Sequence, residues 1–290
     1  MKPTFEIPTL PLQNRDQFSD PFFQRFKQRQ AEITLTPERK RTYDFPTFYG
    51  DVTSAMGIFL CDYEAAQAIL PHSGMKPVRM TQGRSLVVLS CYHYKNVLGI
   101  PAYNEIAMTL PILAGPGRDW PVLPMLAQGL FPQMGYYVFG MPVTSKENQL
   151  RGNNIWGLPK VTQAIDLTVG DGECVTVAQE EDATPYFTLR VPTTGSATSF
   201  DTTGWIYSKL GDRYLRAQTT FKGTYNVTKN LSALWKKGGK PDRPFLEIGT
   251  GPSAAILRSL KIEEQPFQFR FCASANSSFD LPDANWQVPW

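Results

Sequence analysis

The sequence predicts an α+β fold that is mostly antiparallel β. Three observations carry that reading. Proline is frequent, at 24 of 290 residues, and an interior proline costs a helix about 3 kcal/mol, so long helices are cut short. Apolar runs rich in Val, Leu, Tyr and Phe recur, each bounded by Gly or Pro, as strands are. Apolar residues make up 42% and charged residues 19%, the balance of a chain with a sizeable core. No repeat and no clear linker divides the sequence. The expectation is a single domain over residues 1–290, with residues 1–50 as a polar, proline-punctuated N-terminal extension.

The elements follow in order. Residues 19–32 predict a helix start, because Asp20 is a candidate N-cap and Pro21 suits the first helical position. Residues 55–70 read as a strand running into a short helix stopped by Pro71. Strand-like runs then cover 84–94, 105–113 and 135–143, with a Gly/Pro-rich loop at 114–124. After Lys160 the chain alternates as one strand, with Val161, Gln163, Ile165 and Leu167 on one face. Lys160, Thr162, Ala164 and Asp166 fall on the other. Residues 174–179 and 186–191 predict a hairpin, and late strands are expected at 244–250 and 267–275.

Composition excludes several functions. A net charge of +3 with no long Lys/Arg run argues against nucleic acid and acidic membranes. The most basic spot, "PERKRTYD" (37–44), reads as a solvated turn. No segment approaches 18 apolar residues, so no membrane-spanning helix is expected. The four cysteines, Cys61, Cys91, Cys174 and Cys272, form no CxxC pair, and His72 and His93 have no second candidate ligand beside them. No metal site and no cofactor are therefore expected, and the cysteines read as core residues. With no visible signal peptide, the expected location is a reducing cytoplasm, and the three N-x-[ST] sequons, at Asn226, Asn230 and Asn276, read as chance.

Three stretches bear on chemistry. "GTGPSA" (249–254) fits a dinucleotide-type glycine pattern, but no βαβ unit surrounds it, so a strand-to-helix turn is the better reading. His93 lies inside a strand between Tyr92 and Tyr94 and reads as structural. "RGNNIWGLPKVTQA" (151–164) is different, because a stiff apolar turn, Trp156-Gly157-Leu158-Pro159, delivers Lys160 to a definite strand face. Lysine attacks carbonyl carbon only when neutral, and at its reference pKa of about 10.4 roughly one molecule in 2,500 is neutral at pH 7. Lowering that pKa by ~3 units costs about 4 kcal/mol, which desolvation can supply. Trp156, Leu158, Pro159 and Val161 are expected to form the apolar collar, with no acid in the motif to hold the ammonium. A lysine snorkelling from a strand edge is the competing, commoner arrangement.

The segment "GNNIWGLPK" resembles the Schiff-base lysine motif of the acetoacetate decarboxylase family, roughly Gly-Arg-Glu-x-x-x-Tyr/Phe-Pro-Lys-Lys. "LGIPAYNEIAMTLPI" (98–112) resembles the family segment that carries an active-site glutamate, here Glu105. "CDYEAAQAILP" (61–71) resembles its early helix, and "GTGPSAAILRSL" (249–260) its late Thr-Gly-Pro segment. The resemblance runs from about residue 55 to about 285. It implies a closed, cone-like barrel of antiparallel strands around a buried pocket, assembled as a homo-oligomer. It also implies that Lys160 attacks a keto acid to form an iminium, while Glu105 orients substrate or moves protons. The resemblance further implies activation of the lysine by desolvation or by a neighbouring cation.

The chain departs from the family at informative positions. Val161 replaces the second lysine, and Asn153-Asn154 replaces the Arg-Glu pair. The carboxylate-binding arginine falls near Asp51-Val52, leaving Arg39, Arg41 and Arg151 as candidate substitutes. The expected protein is a Schiff-base-forming carbon–carbon lyase acting on a small carbonyl compound, by decarboxylation or by aldol condensation and dehydration. Lys160 and Glu105 are the expected catalytic pair, with Trp156, Tyr136, Met141 and Arg151 as substrate-binding candidates. The alternative is a non-catalytic binder of a small apolar ligand in the same pocket.

Overall fold

The computed structural model describes residues 1–117 and 120–289. The first 50 residues, expected as an extension, are built into the fold. Helix α1 (Pro21–Gln24) begins as anticipated, with the Asp20 carboxylate accepting from the Phe22 N–H. It ends after one turn instead of running to residue 32, because the chain from Arg29 pairs as β1 (Arg29–Thr36) with β2 (Arg39–Phe45). Sheet pairing there outweighs the local helical pattern.

The main sheet then builds from β3 (Thr47–Asp62), helix α2 (Tyr63–Ile69), β4 (Met75–Pro77), β5 (Arg84–Val97) and β6 (Tyr103–Ala114). Helix α3 (Leu123–Leu126), β7 (Met134–Val143), helix α4 (Lys146–Trp156) and β8 (Lys160–Thr162) follow. The loop expected at 114–124 holds the start of α3, and its Arg118 and Asp119 lie outside the described residues. A second sheet comprises β9 (Ala164–Gly170), β10 (Glu173–Gln179), β11 (Pro185–Pro192) and later β14 (Leu246–Ile248). Between them run the long strands β12 (Ser196–Leu210) and β13 (Arg213–Lys229), and the chain closes with α5 (Ala255–Ser259) and β15 (Pro266–Pro282).

Order in the main sheet is β4-β6-β5-β3-β15-β13-β12-β7-β8, and β6 also pairs with β7. That extra pairing closes β6-β5-β3-β15-β13-β12-β7 into a barrel with mostly antiparallel neighbours; β12–β7 and β7–β8 are parallel. One face of its strands looks into the lumen. The other is covered by the second sheet, where Val87, Leu89, Cys91 and Ile106 pack with Cys174, Phe187 and Leu189. Being covered on both faces, β6 is buried along its whole length, which explains why it reads as a continuous apolar run instead of alternating. The β12–β13 hairpin turns tightly at Gly211-Asp212, with Gly211 at φ 57°, the left-handed conformation such a turn demands.

The strand expected from Lys160 onward is two strands. It breaks at Gln163, and β8 stays with the barrel while β9 joins the second sheet. The break resets the facing: Lys160 is buried in β8 and Ile165 in β9, whereas Val161 is 47% exposed. Val161 therefore lies outside the apolar collar that was expected to include it.

Candidate active site

Helix α4 and the turn after it aim Lys160. The helix starts at Ser145, whose hydroxyl accepts from the Asn148 N–H. It ends at Gly157, φ 60°, where a Cβ would lie 2.3 Å from the Lys209 carbonyl oxygen, so only glycine fits. The Lys160 N–H donates to the Leu158 carbonyl and to Asn153 Oδ1, and the Met141 N–H donates to the Pro159 carbonyl. Lys160 thus enters β8 directly opposite Met141 of β7. Gly152 provides the lodging for its stem: a Cβ there would stand 2.3 Å from Lys160 Cδ and 2.6 Å from Cε.

The ammonium end meets Glu105 of β6, Nζ to Oε2 at 2.5 Å, with both side chains buried. Tyr94 of β5 donates its hydroxyl to the other carboxylate oxygen at 3.3 Å. The Tyr103 ring centre lies 5.9 Å from Nζ. Burial lowers the Lys160 pKa from its ordinary value, Glu105 opposes that by charge and hydrogen bond, and the Arg151 charge adds to the lowering. The net direction is down. No acid was expected near this amine from the motif alone; the structure supplies one from a different strand.

Behind the pair lies a buried charged layer. Arg151 on α4 is 1% exposed, donates to Thr47 Oγ1 at 2.9 Å and to Asn148 Oδ1 at 3.2 Å, and stacks over the Tyr43 ring at 4.3 Å. Glu147 accepts from Arg41 at 2.6 Å and from the Tyr43 hydroxyl at 2.7 Å. Arg41, Arg151, Glu147 and Glu105 balance as two positive and two negative charges, all buried. Arg39 is used elsewhere, donating to the Ile7 and Pro8 carbonyls.

The barrel lumen holds a cavity of about 380 Å³. Tyr92 and Ala107 form part of its lining, and both adjoin the pair: Tyr92 is the cross-strand partner of Glu105, and Ala107 is the next lumen-facing residue on β6. Tyr92 also stacks on Tyr94 at 5.3 Å. Of the expected binding residues, Tyr136 lines this cavity. Met141 is buried beside Lys160. Trp156 is committed elsewhere, stacked on Phe279 at 4.7 Å with its indole N–H donating to the Asp280 carbonyl, so it anchors α4 to β15. Sequence reading did not single out Tyr94, Tyr103 or Glu147 as parts of the site. The period-2 spacing of Tyr92 and Tyr94 was the available signal, since it puts both on one face. His93 falls on the opposite face and contacts Asn104 Oδ1 at 2.6 Å, a structural role. Among the described residues no cluster of His, Cys, Asp or Glu could hold a metal, and no helix is long and apolar enough to cross a membrane.

Comparisons with known proteins agree with this architecture. No curated protein matches the chain by sequence. The structure is similar to acetoacetate decarboxylase from Legionella pneumophila, with TM-score 0.59 and 13% identity, covering 92% of this chain and 93% of that one. It is also similar to an acetoacetate decarboxylase-like enzyme from Sphingomonas wittichii, with TM-score 0.51, 14% identity, and 91% and 96% coverage. A third similar structure is the enduracididine biosynthesis enzyme MppR complexed with pyruvate, with TM-score 0.52, 15% identity, and 81% and 88% coverage. At these identities the likeness speaks to the fold. The family model for acetoacetate decarboxylase matches residues 31–217, more than half of the sequence, and by that match the chain belongs to the acetoacetate decarboxylase family.

Proposed function

We propose that this protein is a lyase that forms a Schiff base between Lys160 and a keto acid or related carbonyl compound. The observation that carries the reading is the buried Lys160–Glu105 contact at 2.5 Å beside the lumen cavity. Glu105 is placed to take the ammonium proton, leaving a neutral amine in a site that disfavours charge. The amine nitrogen attacks the carbonyl carbon, and the carbonyl oxygen becomes the hydroxyl of a carbinolamine. Protonated Glu105 can return its proton to that hydroxyl, which leaves as water and gives the iminium. In decarboxylation the C–C bonding pair then moves toward the iminium nitrogen and releases CO2. The resulting enamine is protonated at carbon, and water frees the ketone and Lys160. In an aldol-type reaction the iminium instead loses a proton from its α-carbon, the enamine carbon so formed attacks a second carbonyl carbon, and loss of water follows.

Mass spectrometry after borohydride reduction with acetoacetate, and separately with pyruvate, tests the reading. The expected result is a reduced adduct on Lys160; no adduct with either compound, or adducts only on other lysines, would overturn it. One observation favours a second reading. The ion pair already satisfies the lysine, so Lys160 could serve structure alone, in a non-catalytic binder of small ligands. That reading predicts ligand binding without a reducible adduct. A homo-oligomer in a reducing compartment is also proposed, in keeping with four buried, unpaired thiols; light scattering tests the assembly.

A further inference from the structure

Among the described residues, the lumen cavity has one charged side chain in its lining, Arg270 of β15. Its Cζ lies 5.0 Å from the Phe200 ring centre, and its Nε is buried without a hydrogen-bond partner. None of the ion pairs among the described residues involves Arg270, unlike the buried Arg41, which meets Glu147 at 2.6 Å, and Arg84, which meets Glu263 at 3.1 Å. Around it the walls are aromatic and hydroxylic, with Tyr136, Phe200, Phe221, Thr219 and Tyr225. The Tyr136 and Tyr225 phenols both feel its charge. A guanidinium held in a neutral, partly dry pocket is a fork of donors that matches a carboxylate.

Its place relative to Lys160 sets the size of what it would hold. Tyr136 and Met141 lie on the same strand, β7, with Met141 opposite Lys160 and Tyr136 sharing the cavity lining with Arg270. Strands rise about 3.3 Å per residue, so the two ends of the site are separated by on the order of 10 Å or more. A cavity of about 380 Å³ falls in the range of sites for sizeable organic ligands. A three- or four-carbon keto acid reaching Lys160 would leave Arg270 unanswered.

We infer that Arg270 is an anion anchor that selects an elongated substrate, with a carbonyl at the Lys160 end, a carboxylate at the Arg270 end and a planar, aromatic or unsaturated body between. This rests on the Schiff-base reading for the reacting end only. The anchor itself requires no covalent step.

The test uses two carbonyl probes and one inert acid on the full chain. The probes are 4-(3-oxobutyl)benzoate and its uncharged counterpart 4-phenyl-2-butanone; the inert acid is 4-butylbenzoate. Borohydride trapping should consume the carboxylate probe at least tenfold faster than the neutral one in the parent. In Arg270→Gln that ratio should collapse toward one, and Arg270→Lys should fall between. Calorimetry should find 4-butylbenzoate bound by the parent at least tenfold more tightly than by Arg270→Gln. Circular dichroism of each variant checks the fold. Equal trapping of the two probes by the parent, or an undiminished ratio in a folded Arg270→Gln, would overturn the anchor. Charge-dependent binding of 4-butylbenzoate with no trapped adduct would instead uphold the anchor and sink the Schiff-base reading.

Discussion

Glu105 and Lys160 are 55 positions apart in sequence and meet at 2.5 Å inside a closed barrel. The contact makes each residue's chemistry depend on the other. Burial pushes the amine toward its neutral form, and the carboxylate both resists that and offers a place for the proton.

Replacing Glu105 by Gln should separate those two effects. Loss of the negative charge removes what raises the Lys160 pKa, so the limb on which activity rises with pH should move to lower pH. Turnover should still fall by roughly 10²-fold, because the proton acceptor and donor for the carbinolamine is gone. A pH–rate profile of the variant checks both directions. A limb that stays in place with turnover intact would leave Glu105 with no part in the chemistry.

Arg151 acts on Lys160 in the opposite sense, since its like charge lowers the amine's pKa. It contributes from α4 the kind of neighbouring positive charge that Val161 does not supply. Arg151→Met should shift the pH dependence of borohydride trapping to higher pH. It should also destabilise the fold, because Thr47 and Asn148 lose a buried partner. Thermal unfolding reads the second effect independently of the first.

Gly152→Ala is expected to impair the site without unwinding α4. Alanine favours a helix interior over glycine by about 1 kcal/mol. The added methyl, however, would stand 2.3 Å from Lys160 Cδ, so the stem must leave its lodging. Adduct formation at Lys160 should slow at least tenfold while helical circular dichroism is retained. Parent-like trapping kinetics would mean that the stem can re-seat.

Val161→Lys should do little. The side chain is 47% exposed and points away from the lysine it follows, so the new ammonium would be solvated and screened. The pH midpoint of trapping should match that of the parent. A shift to lower pH would indicate a second conformation of β8 with Val161 turned inward.

Lys160 also leaves a signature in stability. Its pKa is lowered in the folded chain from the 10.5 of an ordinary lysine. Between those two values the unfolded chain binds a proton that the folded chain does not, so stability from this group rises with pH across the window. It is absent below the folded pKa and complete above about 10.5. Urea unfolding from pH 7 to 10 should give a steeper rise for the parent than for Lys160→Gln. Identical slopes would mean that Glu105 cancels the desolvation of the amine.

Much of the barrel, and the turn that delivers Lys160, was legible in the amino-acid sequence. Strands β5, β6 and β7 were legible because both faces are covered, which forces nearly unbroken apolar runs between Gly and Pro. The αL glycine and the proline ahead of Lys160 were legible because turn chemistry is local. Strands β12 and β13 were not foreseen, since their exposed stretches are rich in Ser and Thr and carry little apolar signal. Glu105 came forward only through the family resemblance, and its contact with Lys160 is a product of closing β6 against β7. Arg270 shows the limit most plainly. In "FQFRF" (267–271) alternation puts Gln268 and Arg270 opposite three phenylalanines, a pattern that ordinarily marks a solvent face. Barrel closure turns that face into the lumen. Period-2 patterning tells which residues share a face, but only long-range strand pairing decides whether that face meets water or a cavity, because closure depends on partners far away in the chain.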